Sequence, residues 1–216
     1  MKALFISGIG TGIGKTLVSA IVAEALGADY WKPVQAGFTG GTDSEWVKDK
    51  LTNPAGRVHA ESYILRLAAS PHIAAREEGR KIEMEKIALE LDKIMERRKA
   101  MTEWIVIEGA GGLMVPLNED DFVIDLVKKL KSDLVLVSRN YLGSINHSLL
   151  TARACKASGV PVKGWIFNDQ YLAYESEIVH WSGIDPIVSI PYHKEPDREF
   201  VKTQADLILN KLLSCL

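Results

Sequence analysis

Ser7-Gly8-Ile9-Gly10-Thr11-Gly12-Ile13-Gly14-Lys15-Thr16 joins a short apolar run, Ala3-Leu4-Phe5-Ile6, to a helical pattern of Leu17, Val18, Ile21, Val22 and Ala25. A glycine-rich turn between a strand and a helix is an anion cradle. The backbone N–H groups released by the turn and by the helix N-terminus converge, and glycines let a polyphosphate approach without a Cβ in the way. In that geometry Lys15 reaches the β- and γ-phosphates and the Thr16 hydroxyl is a Mg²⁺ ligand. The loop is a variant of the phosphate-loop pattern, with Ile9 where the pattern has its first glycine and Gly8 one residue early. A turn that only connects a strand to a helix does not account for Gly-Lys-Thr at this place, so binding of a nucleoside triphosphate is the leading inference.

Outward from the loop, the chain alternates between strand and helix. A second strand, Ala28 to Gln35, runs into the glycine-rich turn Ala36 to Thr42. Thr42 or Asp43 caps the polar helix that follows, Ser44 to Leu51, and Asn53-Pro54-Ala55-Gly56 breaks it. Residues 53–82 read as mixed loop and helix. From Glu83 to Lys99, Met84, Ile87, Ala88, Leu91, Ile94 and Met95 recur at helical spacing, a surface helix with one buried stripe. Trp104-Ile105-Val106-Ile107 is a continuous apolar run, as a strand buried on both faces requires, and it ends in Glu108-Gly109-Ala110-Gly111-Gly112. Helices near 122–130, 144–158, 174–181 and 197–213 then alternate with strands at 134–137, 162–167 and 187–190. These are βαβ units. They predict an α/β fold of the phosphate-loop NTPase type, a mostly parallel sheet of about seven strands with helices on both faces, and one domain over 1–216.

Composition narrows the function. The 216 residues carry 26 Lys and Arg against 28 Asp and Glu, a net charge of −2, so no polyanion-binding surface is expected and nucleic acid is excluded as a partner. The two cysteines, Cys155 and Cys215, are too few and too isolated for a disulfide framework or a metal knuckle. The chain begins directly on a strand, and no apolar stretch approaches the roughly 18 residues of a membrane span. The expected setting is the cytoplasm.

Ligands of such sheets lie outside the carboxyl ends of the strands. Gathered there are the phosphate loop, Lys32 and Gln35 after the second strand, Glu108 after the third, Ser138-Arg139-Asn140 after the fourth and Asn168-Asp169 after the fifth. A carboxylate, two lysines and a hydroxyl at neighbouring strand ends are what phosphoryl transfer needs. On the residues alone each has a second reading: Glu108 as a surface acid, Lys32 as a solvated strand-end charge, Asp43 as a helix cap, Asn168-Asp169 as an ordinary turn. His72 and His147 have no metal-ligand spacing.

The chain resembles the dethiobiotin synthetases nearly end to end. The carriers are Gly8 to Thr16 with its early glycine, Trp31-Lys32-Pro33-Val34-Gln35-Ala36-Gly37, Thr42-Asp43, Ser70-Pro71-His72, Glu108 to Gly112, Leu142-Gly143-Ser144-Ile145-Asn146-His147, Gly164 to Asp169, and Ile190-Pro191. The resemblance implies ATP-dependent carboxylation and ring closure of 7,8-diaminopelargonate with CO₂ or bicarbonate, through a carbamate and its mixed anhydride with phosphate. It implies Lys15, Lys32 and Thr11 as catalytic, and Thr16, Asp43 and Glu108 as ligands of Mg²⁺. ATP contacts would come from Gly12, Ile13, Gly14, Lys15, Thr16, Leu17, Gly109, Ala110 and Gly111. Asn168, Asp169, Pro191, Tyr192, His193 and Asp197 would hold the adenine. It also implies a homodimer with active sites at the interface, in which Gly143, Ser144, Ile145 and Asn146 of one chain catch the substrate carboxylate at a helix N-terminus of the other.

One departure stands out: many relatives carry a hydroxyl residue where Ala36 lies. The competing reading, a regulatory or partitioning ATPase of the MinD/ParA-like class, usually carries a lysine where Gly10 sits. That absence, with Lys32-Pro33-Val34 and the Gly143 to Asn146 turn, favours the ligase.

Overall fold

The computed structural model describes residues 1–169 and 172–216. In chain order the elements are β1 (Lys2–Gly8), α1 (Lys15–Leu26), β2 (Asp29–Trp31), β3 (Val34–Ala36), α2 (Asp43–Lys50), β4 (Val58–His59), β5 (Tyr63–Leu65), α3 (Pro71–Glu77), α4 (Met84–Arg98), β6 (Trp104–Gly112), α5 (Val123–Lys129), β7 (Asp133–Arg139), α6 (Ser144–Ala157), β8 (Val162–Asn168), α7 (Glu175–Ser182), β9 (Pro186–Ile190) and α8 (Arg198–Cys215). Among the described residues no helix is long and apolar enough to cross a membrane.

Seven strands form one parallel sheet in the order β4-β2-β6-β1-β7-β8-β9. The order departs in both directions from β1, so the crevice beyond its carboxyl end is a topological switch point, where ligands of open α/β sheets bind. The apolar runs of the central strands divide by alternation. Leu4, Ile6, Val106, Val135 and Val137 join a core with residues of α1 and α8 such as Val18, Ile21, Val201 and Ile208. Phe5, Ile105, Ile107, Leu134 and Leu136 join the opposite core, with Ile87 and Leu91 of α4 and Leu126 of α5. Successive side chains of a strand point to opposite faces, so a sheet covered on both sides needs both sets apolar.

The predicted architecture holds, with local differences. The expected second strand is two: β2 stays in the main sheet, whereas β3 pairs with β5 in a separate two-stranded parallel sheet. Pro33, which has no N–H for a ladder, marks the break, and Lys32 lies beside it rather than within a strand. β6 does not stop at Ile107 but runs to Gly112, pairing Gly8 with Gly112 after a register shift, so Glu108 lies inside the strand, opposite Ile6. Residues 53–82 hold β4, β5 and α3 instead of loop and helix only. Thr42, not Asp43, caps α2: it accepts from Glu45 N while Glu45 reaches back to Thr42 N, a reciprocal capping box.

A buried charge cluster fastens the β2–β4 edge. Asp29, fully buried, accepts from Arg98 Nε at 2.9 Å, Arg98 Nη2 at 3.1 Å and Arg57 N at 3.0 Å, and bonds His59 Nε2 at 2.7 Å. Burial alone would raise the Asp29 pKa, but the hydrogen bonds from His59 and Arg98 outweigh it and hold it below the ordinary 3.8. Arg98→Met leaves part of that carboxylate charge uncompensated and is expected to destabilise the fold by about 3 kcal/mol in urea denaturation. Because the folded pKa of Asp29 is depressed, this stabilisation is present above 3.8 and lost as the pH falls through the folded value. The gap between wild type and variant should therefore be widest near neutrality and close in acid; a gap independent of pH would refute the assignment.

Candidate active site

The phosphate loop is pinned on three sides. Ile9 N donates to Val137 O of β7 at 3.1 Å, Asn168 Nδ2 of β8 donates to Ile13 O at 2.9 Å, and Lys15 Nζ folds back onto Gly10 O at 2.6 Å. Gly14 caps α1 at φ 90°, in the left-handed region, and a Cβ there would meet Asn168 Nδ2 at 1.9 Å, so only glycine fits. The first turn of α1 has no acidic residue, which leaves its positive end unopposed for an anion.

Facing the loop is a cluster built by β2, α2 and β6. Glu108, 1% exposed, accepts at Oε1 from Thr16 Oγ1 (2.9 Å) and Lys32 Nζ (2.9 Å), and at Oε2 from the Tyr30 hydroxyl (2.7 Å). Lys32 Nζ also donates to Asp43 Oδ2, so one ammonium bridges the two carboxylates. Burial works against the Lys32 charge, but Glu108 and Asp43 outweigh it and raise its pKa above 10.5. Lys15 has no such partner in contact: burial, only partly offset by Glu108 and reinforced by Lys32, brings it down to about 8. Burial and the neighbouring Glu108 push the Tyr30 phenol well above 10, so it acts as a donor.

Loop and cluster enclose a cleft of about 750 Å³. Thr11, Gly12, Gly14, Lys15, Thr16, Lys32, Ala36, Asp43, Glu108, Ala110 and Gly111 of the predicted set line it, together with Val34, Gln35 and the segment Ala68-Ala69-Ser70-Pro71. Ile13 is buried and offers its carbonyl to Asn168, Leu17 packs against the α1–α8 core, and Gly109 lies against the Phe5 ring. Asn168 reaches the loop from the end of β8, and Asp169, the next residue, pairs with Arg139. Pro191, Tyr192 and His193 are exposed after β9, and Asp197 caps α8 by accepting from Phe200 N. Gly143 to Asn146 begin α6 and do not line this cleft. The Ser144 hydroxyl is committed to Tyr174 OH (2.9 Å) and Tyr141 N (3.3 Å), and Ser144 N donates to Tyr141 O (2.9 Å), so among the described residues only the N–H groups of Ile145 and Asn146 in this first turn have no protein acceptor.

The donors that meet are two carboxylates and a hydroxyl, all hard oxygen. Among the described residues no group of three or more His, Cys, Asp or Glu side chains forms a cage. The chemistry of the oxygen set that is present, Thr16, Asp43 and Glu108, suits Mg²⁺, which keeps waters and phosphate oxygens and needs few protein ligands. Sequence reading missed Tyr30, which carries no signal beyond being a strand residue. It also gave Arg139 no role, although Arg139 is the last residue of β7. The Arg139 guanidinium pairs with Asp169 (2.8 Å) and reaches Gly12 O at 3.5 Å, beside a second cavity of about 570 Å³ on the outer side of the loop. Gln35 ties the Gly37 to Thr42 turn at both ends, donating to Gly37 O (2.7 Å) and accepting from Asp43 N (3.3 Å).

A parallel sheet with its switch point at a Gly-Lys-Thr loop, and a lysine-bridged pair of carboxylates opposite, define an ATPase-like protein of the phosphate-loop class. The profile described as AAA domain matches residues 2–199. The partition protein of Borrelia burgdorferi bound to AMPPNP superposes with TM-score 0.61 at 13% identity, covering 100% of this chain and 99% of that one. The MinC:MinD complex of Aquifex aeolicus gives 0.60 at 14%, covering 99% and 95%. These likenesses establish the fold. The sequence is 48% identical to the ATP-dependent dethiobiotin synthetase of Cytophaga hutchinsonii over 78% of this chain and 77% of that protein. It is 42% identical to that of Christiangramia forsetii over 98% of each. The chain belongs to the ATP-dependent dethiobiotin synthetases, ligases of biotin synthesis.

Proposed function

We propose that the whole chain, 1–216, acts as one ligase domain that carboxylates and closes 7,8-diaminopelargonate with CO₂ to dethiobiotin, converting ATP to ADP and phosphate. The observation that carries this reading is the single cleft in which the phosphate loop faces Lys32, Asp43 and Glu108. An amine takes up CO₂ as a carbamate, the carbamate oxygen takes the γ-phosphoryl of ATP, and the second amine attacks the carbonyl carbon, releasing phosphate and closing the urea ring. The protein's part is positioning and charge neutralisation. Lys15 and the α1 N-terminus hold the phosphates, Thr11 lies at the mouth of the loop, and Lys32 holds the carbamate. Thr16, Asp43 and Glu108 would hold Mg²⁺, which supplies compensation for phosphate charge. Asn168, Asp169 and the 191–193 segment with Asp197 serve the adenine.

The alkyl chain of the diamine suits the small apolar wall of Val34, Ala36, Ala68 and Val115. In a homodimer, as the resemblance implies, the partner's α6 first turn would take the substrate carboxylate, since the α6 N-terminus lies outside its own chain's cleft. At Ala36 one hydrogen bond of the relatives is replaced by backbone or water, worth about 1 kcal/mol. Ala36→Ser should thus leave turnover within about fivefold; loss of all activity would remove Ala36 from the amine site.

The deciding experiment incubates the protein with 7,8-diaminopelargonate, bicarbonate and Mg·ATP and seeks the cyclic urea and ADP by mass spectrometry. Product that requires all three inputs supports the reading. ATP bound or hydrolysed without product would overturn it in favour of a partner-switching ATPase.

A further inference from the structure

The two oxygens of Glu108 have different neighbours. Oε1 faces Thr16 and Lys32, which line the cleft, whereas Oε2 is taken by the Tyr30 hydroxyl, which does not line it. Strand register builds this arrangement. Tyr30 lies opposite Val106 in the β2–β6 pair, so Glu108, two residues further, is its diagonal neighbour on the same face, within reach of a long side chain. Tyr30 is fully buried in the core with Leu4, Ile6 and Val106, so its ring is fixed and its hydroxyl stays in one place. The terminal torsion of a glutamate, by contrast, is broad, and without a partner the carboxylate is free to turn.

We propose that Tyr30 is a positioning residue that sets cation choice: by occupying Glu108 Oε2 it leaves one oxygen, Oε1, to serve a divalent ion. The inference rests on Glu108 being a metal ligand, as proposed above. A small cation with strict octahedral demands, such as Mg²⁺, takes one oxygen per carboxylate, while Ca²⁺, with six to eight oxygen ligands, readily takes both. A carboxylate restricted to one oxygen therefore favours Mg²⁺ over Ca²⁺, and one released to turn loses that preference.

The test titrates Mg²⁺ and Ca²⁺ separately into the full chain saturated with a non-hydrolysable ATP analogue, by calorimetry, with thermal melts in parallel. Tyr30→Phe keeps the ring and removes the hydroxyl. Its Mg²⁺ affinity should fall about tenfold, as for loss of an outer-shell partner, while Ca²⁺ affinity holds or rises, so the Mg²⁺:Ca²⁺ preference drops by at least that factor. An unchanged preference, with both affinities moving together or not at all, overturns the proposal; a purely structural hydroxyl gives that pattern with a lowered melting temperature. Glu108→Gln tests the underlying reading separately, because it must weaken binding of both ions, and if it does not, Glu108 is no ligand. In the Glu108→Gln background, Tyr30→Phe should shift the preference no further. Should Tyr30→Phe prove too unstable to titrate, Tyr30→Met asks the same question with a side chain that adapts to the cavity.

Discussion

Lys32→Ala is expected to lower turnover by about 10³-fold or more while leaving Mg·ATP affinity within about tenfold, or about 1.4 kcal/mol. The separation follows from what Lys32 touches. Its ammonium contacts Asp43 and Glu108, on the wall opposite the phosphate loop, and makes no hydrogen bond to the loop itself. With Lys32 gone, the loop, Lys15 and the α1 N-terminus still grip the phosphates. The two carboxylates, no longer bridged by an ammonium, attract a cation more strongly rather than less. What disappears is a buried positive charge that lines the cleft on the wall opposite the phosphate loop, where the carbamate would lie. Product formation by mass spectrometry and nucleotide binding by calorimetry measure the two halves. Equal loss of both would sink the assignment of Lys32 to the carbamate and give it to ATP.

Lys15→Ala should lose both. Its Nζ folds over the loop onto Gly10 O, and the residue is only 6% exposed. Burial disfavours its charge and brings its pKa down to about 8, so a bound polyphosphate would favour the charged ammonium as its anionic partner. Removing the side chain leaves backbone dipoles alone against a highly charged ligand. ATP affinity is expected to fall more than about 100-fold, about 2.7 kcal/mol, and turnover at fixed ATP with it. An intact ATP affinity would mean that the loop binds through its backbone alone and that the Lys15 role has been misassigned. The pair of variants is informative together: Lys32→Ala separates chemistry from binding, and Lys15→Ala does not.

The Tyr30 proposal meets these expectations at Glu108. Lys32, Thr16 and Tyr30 divide one carboxylate among them, so substitutions at any two should not be additive, as expected of residues sharing a partner. A double substitution at Lys32 and Asp29, on the other hand, joins separate hydrogen-bonded clusters and should be close to additive in stability.

Much of this protein could be read from local pattern. The phosphate loop, the order of strands and helices, and the helix boundaries from α4 onward follow from periodicity and from glycine, proline and cap residues, which act over a few positions. The resemblance to the dethiobiotin synthetases rests on short motifs of the same local kind. Pairing across the sheet decided the rest. Thr16 and Tyr30 meet Glu108 across 92 and 78 residues of chain, and no window of sequence reveals a register. The break at Pro33, the small β3–β5 sheet through the stretch 53–82, and the run of β6 past Glu108 all depend on which strand each segment finds. The sequence by itself determined the fold class, the nucleotide loop and the residue types of the chemistry, because those are properties of neighbours along the chain. Only the tertiary structure decided that Lys32 bridges Asp43 and Glu108, that Tyr30 holds the second Glu108 oxygen and that Arg139 braces Asp169. Charges and hydrogen bonds act through space, over distances that folding alone makes short.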